Sequence, residues 1–182
     1  MKKGFTLIEL LIVIGILAIL ATTVVLVLNP AQLLAQARDT QRISDLSTVK
    51  SAIAVYLSTA TDPTLTAGPY STSDTTCGFG AASCTVTTST VVTGSGWVAI
   101  DLTASSGGSP VSVLPIDPTN TAIYQYAYKG DNTNKTFELN ARLESTKYKV
   151  QMAADGGDDS TCSSYTEETC YYEVGTDPAL DL

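Results

Sequence analysis

The sequence predicts an α+β chain in which a long N-terminal helix, kinked midway, packs its second half on a small antiparallel sheet. Three observations predict this. Residues 5–28 are one apolar run, residues 29–57 resume helical spacing after Asn29-Pro30, and two alternating segments between residues 123 and 144 flank a turn. At 182 residues the chain has room for one sizeable core.

The averages conceal an asymmetry. Mean hydropathy is +0.16 although the net charge is −8, so the apolar residues must be concentrated in one region. Ten Lys and Arg stand against eighteen Asp and Glu, which is not the basic excess of a nucleic-acid binder. No nucleic-acid site is evident. Histidine is absent. That excludes His-based acid–base catalysis, Ser-His and Cys-His nucleophile pairs, and the commonest transition-metal ligand. No phosphate loop or metal constellation takes their place, so the expectation is a protein that is not an enzyme.

Of the residues from 5 to 28, 19 are apolar and one, Glu9, is charged. A helix of that length spans roughly 36 Å, enough to cross a hydrocarbon layer of about 30 Å. Lys2 and Lys3 precede it and no base follows until Arg38, which places the N-terminus in the cytoplasm and everything beyond residue 28 outside. A cleaved secretory signal would need small residues after a shorter apolar core, and residues 18–21 match that poorly. A lipoprotein signal would need a cysteine closing the run, and the first cysteine is Cys77. The remaining reading is a retained anchor. Glu9 is anomalous in a plain anchor, because a carboxylate at the centre of a membrane helix costs roughly 2.5–3.5 kcal/mol, less near an end. It asks for a partner.

Lys2-Lys3-Gly4-Phe5-Thr6-Leu7-Ile8-Glu9-Leu10-Leu11 resembles the leader and N-terminus of type IV pilins and type II secretion pseudopilins. The resemblance implies a pilin-like fold and cleavage by a prepilin peptidase after Gly4. It also implies N-methylation of the new terminus at Phe5, and pairing of Glu9 with the N-terminal amine of a neighbouring subunit in a helical filament. Burying Glu9 is tolerable where a cation is buried beside it, and a freshly exposed amine supplies one.

Asn29-Pro30 interrupts the run. Pro30 cannot donate to the carbonyl of residue 26 and crowds that turn, which predicts a kink or a break at Pro30. Asn29 is a favoured N-cap, Pro30 a favoured first helical residue, and Gln32 holds the third helical position, as in a capping box. Downstream, Leu33, Leu34, Ala37, Ile43, Leu46, Val49, Ile53 and Tyr56 or Leu57 recur every three or four residues as one apolar face. Arg38, Asp39, Arg42, Asp45 and Lys50 fall largely off that stripe and read as a solvated face.

The helix should end near Ser58, before Asp62-Pro63. From 58 to 96, eighteen residues are Ser or Thr, a loop-rich composition. Residues 85–93 are β-compatible, Trp97-Val98-Ala99-Ile100-Asp101-Leu102 reads as a short strand, and Gly107-Gly108 marks a turn. Tyr124, Tyr126 and Tyr128 alternate with Ile123, Gln125 and Ala127. Beyond the turn at 130–134, Phe137, Leu139, Ala141 and Leu143 alternate with Glu138, Asn140, Arg142 and Glu144. That is a hairpin with one face suited to covering a helix, its tyrosines packing residues, and Tyr148, Val150 and Met152 extend the pattern to a third strand. Leu114-Pro115-Ile116-Asp117-Pro118 before Tyr124-Gln125-Tyr126 also resembles the major pseudopilins, although the Trp-Gly expected after Pro118 there is absent.

Cys77 and Cys84 are separated by six intervening residues and Cys162 and Cys170 by seven, so two local disulfides are the simplest of the three pairings; zinc lacks its CxxC spacing. After Val150 the chain carries eight acids and no base. Asp155, Asp158 and Asp159 cluster around two glycines, read either as a solvated loop or as a calcium site, the latter a feature the resemblance implies for major pseudopilins. No cofactor is otherwise required.

The expected organisation is a leader over 1–4, a membrane and assembly helix over 5–28, its amphipathic continuation over 29–57, and an extracytoplasmic β-rich domain over 58–182. The expected function is that of a structural subunit in a type IV pilus or a type II secretion pseudopilus. Its partners would be further copies of itself, the prepilin peptidase, the inner-membrane assembly machinery and, before assembly, membrane lipid. It would reside in the bacterial cytoplasmic membrane first and in an extracellular pilus or periplasmic pseudopilus afterwards. The alternative is a non-polymerising anchored domain that binds calcium or a surface ligand.

Overall fold

Helix α1 covers Leu7–Leu28 and helix α2 covers Pro30–Thr59, in a computed structural model that describes residues 4–79, 83–157, 170–178, 180 and 182. Between the helices Asn29 turns left-handed, with φ 41° and ψ 75°. Asparagine tolerates that conformation better than most residues, and the proline that follows suits a first helical position. Asn29 then starts α2: its carbonyl accepts from the amides of Gln32 at 3.0 Å and Leu33 at 3.3 Å, and its Oδ1 from Gln32 at 3.4 Å. The chain divides into two compact units, Met1–Ala35 and Gln36–Leu182.

In the first unit the side chains of α1 up to residue 25 are exposed, and Leu7–Val25 is long and apolar enough to cross a membrane. Its two hydroxyls are spent on its own backbone. Thr22 donates to the carbonyl of Ala18 and Thr23 to that of Leu20, both at 2.8 Å, so neither asks water for a bond.

The second unit is built on α2. Leu46, Val49, Ala52, Ile53 and Tyr56 are buried against Trp97, Ile100, Leu114, Tyr126, Tyr128, Phe137 and Leu139. Trp97 and Tyr126 meet with ring centroids 5.8 Å apart. Among the described residues five strands form one sheet in the order β2-β1-β3-β4-β5: β1 Tyr70–Ser71, β2 Thr85–Val86, β3 Tyr126–Asp131, β4 Thr136–Ala141 and β5 Tyr172–Gly175. The β3–β4 hairpin pairs Tyr126 with Ala141 at one end and Asp131 with Thr136 at the other. Its turn is fixed by the Asp131 carboxylate, which accepts from the amides of Thr133 at 2.7 Å and Asn134 at 3.3 Å.

Several expectations are corrected. The sheet is mixed, because β1 and β2 run parallel; the 72–84 connection is long enough for such a crossover. The 85–93 segment is strand at Thr85–Val86 alone. Trp97, Val98, Ile100 and Leu102 are buried, but outside any strand, and a 3₁₀ turn follows at Leu102–Ala104. Tyr148, Val150 and Met152 form no third strand. Lys149–Ala153 is a 3₁₀ turn, and the place beside β4 goes to β5.

Both faces of the hairpin are covered. Tyr126 and Tyr128 point to the α2 side, whereas Ala127 between them packs with Cys77, Phe79 and Cys84. Cys77 and Cys84 are joined in a disulfide, with Cα atoms 6.1 Å apart. Gly78 inside that loop has φ +86°, and a Cβ there would lie 2.7 Å from the Tyr171 ring, so no other residue fits without displacement. Replacing Cys77 and Cys84 by serine is expected to lower stability by about 2–3 kcal/mol, as closure of so short a loop implies. Denaturant unfolding of the full chain in detergent checks this; an unchanged midpoint would mean that the loop holds without its crosslink.

Candidate functional site

Among the described residues two clusters of side chains go beyond packing, one in each unit. The first lies at the start of α1. Thr6 is the N-cap and Glu9 the third helical residue, and they satisfy each other: the Glu9 amide donates to Thr6 Oγ1 at 3.3 Å, while Glu9 Oε2 accepts from the Thr6 amide at 2.9 Å and its hydroxyl at 2.7 Å. The carboxylate that asked for a partner therefore has a local one, and its negative charge sits where helix N–H groups converge. Both residues are exposed, and Phe5 is 87% exposed. A Cβ on Gly4 would meet nothing within 4 Å, so packing in this chain does not require glycine at position 4.

The second cluster was not foreseen as a unit. Arg42 and Asp39, expected on a solvated face, are fully buried. All five N–H donors of the Arg42 guanidinium are used. Nε donates to Asp117 Oδ2 at 2.6 Å and Nη2 to Asp117 Oδ1 at 3.1 Å, a bidentate fork. Nη1 reaches Asp39 Oδ1 and Glu144 Oε1, both at 2.8 Å, and Nη2 reaches Thr119 Oγ1 at 3.2 Å. The Tyr124 ring lies 4.7 Å from the guanidinium carbon. Arg38 holds Glu144 from the other side, Nη2 to Oε2 at 3.0 Å. Asp39 closes the network by accepting from the amides of Glu144 at 3.0 Å and Ser145 at 2.7 Å.

Burial works against each of these charges, and the pairing outweighs it. Desolvation would raise the Asp117 carboxyl, but the Arg42 hydrogen bonds and charge, with the Thr119 amide, hold it below the usual range. The same opposition, with Arg38 and Arg42 prevailing, lowers Glu144. Arg42 itself is pushed down by burial and pulled further up by Asp117, Glu144 and Asp39. Asp45, half-buried, goes the other way: desolvation raises it despite the hydrogen bond it accepts from the Tyr126 hydroxyl at 2.8 Å. The network pins the first turns of α2 in this unit to the loop carrying Asp117 and to the end of β4, and it is a fastening rather than a reactive centre.

The other foreseen residues are spread out. Cys170 is buried and disulfide-bonded; Cys162, its expected partner, lies outside the described residues. Asp158 and Asp159 lie outside them too. Asp155 accepts from the amides of Gly157 at 3.1 Å and Glu173 at 2.9 Å, fastening its loop to β5. Among the described residues no three acidic or cysteine side chains are grouped to hold a metal ion, and of the three expected calcium donors only Asp155 lies among them.

Residues 1–25 match the family model for the prokaryotic N-terminal methylation motif. That is the signal motif of type IV pilins and pseudopilins; in this chain it takes in most of α1, and a second helix and a sheet follow, an α+β arrangement consistent with a pilin-like fold. Proteins with the motif are structural rather than catalytic, and the apolar helix fits a membrane anchor or signal-type segment. No curated protein and no solved structure matches the chain.

Proposed function

We propose that this chain is a structural, non-catalytic subunit of a type IV pilus or pilus-like filament. It is cut after Gly4 by a prepilin peptidase, methylated at Phe5, held in the cytoplasmic membrane by α1 and then assembled through that helix. The observation that carries the reading is the conjunction at one helix end of the methylation motif, an exposed Gly4-Phe5 bond and a carboxylate on an otherwise uncharged apolar surface. A glycine that nothing in its own chain demands fits recognition by an external enzyme. After cleavage the Phe5 amine is a cation beside the bilayer, and Glu9 of a neighbour is the matching anion. Because the contact joins the head of one copy to the flank of the next, repetition that does not close gives a helical fibre.

Mass spectrometry of the chain co-expressed with a prepilin peptidase is the direct test. The expected species begins at Phe5 and carries one methyl group. A mature chain that retains Met1 would overturn the reading in favour of a plain anchor.

A further inference from the structure

We propose that Thr6 is a positioning residue for removal of the leader: by capping α1 where it does, it keeps the Gly4–Phe5 peptide bond outside the helix, in the extended form that a peptidase can grip. The inference rests on the proposed cleavage after Gly4 and names the residue that presents the bond. The helix has a sharp start. Its first intrahelical bond runs from the Leu10 amide to the Thr6 carbonyl at 3.3 Å, Thr6 itself is extended with φ −77° and ψ 151°, and Gly4 and Phe5 lie outside the helix and exposed. The bond to be cut therefore joins the two residues immediately before the cap, inside the segment that the methylation motif covers.

Little apart from the cap would hold the start there. Phe5 and Thr6 tolerate helical backbone, and a glycine at position 4 is only a weak barrier. A helix entering hydrocarbon also gains by growing backwards, because its first four amides lack intrahelical acceptors and little water is at hand to replace them. Thr6 and Glu9 remove that gain, since Thr6 Oγ1 accepts from the Glu9 amide at 3.3 Å and the Glu9 carboxylate accepts from the Thr6 amide at 2.9 Å. Were α1 to run back over residues 4 and 5, the Gly4 carbonyl would accept from the amide of Ile8 and join the helical ladder. Hydrolysis needs that carbonyl free. A water oxygen adds to the Gly4 carbonyl carbon, the bond to the Phe5 nitrogen breaks, and that nitrogen takes up a proton and leaves as the new amine, with the carboxylate remaining on the leader. Thr6 takes no part in the exchange and acts through the backbone alone. What the position requires is a short side chain bearing an acceptor oxygen, so serine and asparagine should serve there, and valine, which has the shape of threonine without the acceptor, should not.

The test uses the full chain in mixed detergent–phospholipid micelles with a purified prepilin peptidase, cleavage being followed by mass for the parent chain and for Thr6→Val, Thr6→Ser and Thr6→Asn. The expected result is Thr6→Val cut about five-fold more slowly than the parent, the factor by which a lost N-cap shifts the helix start, with Thr6→Ser and Thr6→Asn within about two-fold of the parent. In the same micelles the α-carbon chemical shift of Phe5 should move toward the helical value in Thr6→Val alone. A Thr6→Val chain cut at the parent rate, or one cut slowly while Phe5 stays extended, would overturn the positioning role. Serine and asparagine variants as slow as valine would overturn it too, since the enzyme would then be reading threonine itself. A parent chain that is not cut after Gly4 would overturn the processing reading and this proposal with it.

Discussion

Replacing Arg42 with alanine is expected to lower the unfolding free energy of the full chain by roughly 3–5 kcal/mol, the range for leaving buried carboxylates without their cation. The reason is asymmetry: removing the guanidinium leaves the buried Asp117 without its cation and with only the Thr119 and Asn120 donors, strips Asp39 and Glu144 of one partner each, and leaves a void under Tyr124. Arg42→Lys keeps a charge but loses the fork, and it should recover only part of the loss. Trp97 is the chain's one tryptophan and is fully buried, so its fluorescence in a denaturant series reads the transition. A loss under about 1 kcal/mol would restore the solvated-face reading.

The same variant has a signature in acid. Asp117 and Glu144 are held below their ordinary values in the folded chain, so the stability they contribute is complete above the normal carboxylate range and drains away as pH falls through the lowered values. Asp45 has the opposite sign, since a raised carboxyl is relieved by protonation, and it cannot supply the acid limb. Without Arg42, Asp117 loses the chief cause of its depression, whereas Glu144 loses one of two, since Arg38 still holds it. The acid midpoint of unfolding should therefore move to higher pH in Arg42→Ala, as circular dichroism across an acid titration would record. An unmoved midpoint would show that the network does not set the acid limit.

Substitution of Glu9 is expected to leave the chain in the membrane and to reduce fibre yield at least ten-fold, the second large effect. Two variants separate the roles of the side chain. Glu9→Ala removes both the charge and the reciprocal bond to Thr6, and the cap is worth about 1 kcal/mol of local helix stability. Glu9→Gln keeps an acceptor for the Thr6 amide and removes the charge alone. If pairing with a neighbour's amine drives assembly, both variants fail alike. If the helix start is what matters, Glu9→Gln assembles normally and Thr6→Ala fails instead. Sheared-fibre yield beside membrane-fraction content gives the answer, and normal fibres from Glu9→Gln would overturn the charge mechanism.

What could be read from the sequence followed periodicity. The restart after Asn29 and the β3–β4 hairpin each repeat with a regular spacing, the apolar run of α1 is legible by its length instead, and each is present. Trp97 to Leu102 misled because a continuous buried run has no period, so burial passed for strand. Strand β5 escaped notice because its partner lies some thirty residues earlier, and alternation seen at Tyr148, Val150 and Met152 offered a nearer candidate. The buried charges were missed because the stripe was drawn by residue type. Counted by spacing, buried positions 35, 39, 42, 46, 49, 53 and 56 of α2 follow in steps of three and four, with Ala52 buried beside them. Asp39 and Arg42 sit on the apolar stripe, and an opposed acid and base at its upper end were the available signal. Of the N-terminal cluster, the residues were legible and the reciprocal Thr6–Glu9 bonding follows from their spacing of three.

Helix α1 carries its own solvation with it. Thr22 and Thr23 bond within the helix. A segment built this way has little to lose or gain in polar bonding when hydrocarbon tails around it are exchanged for the side chains of identical helices. Glu9 is the exception, since its carboxylate has acceptor capacity beyond the two bonds from Thr6 and can take a new donor without surrendering the old. On the proposed function, exchange between bilayer and fibre would then be nearly level along most of the helix and tilted at one end. A single charge, Glu9, would then set its direction, according to whether a neighbour's amine is there to meet it.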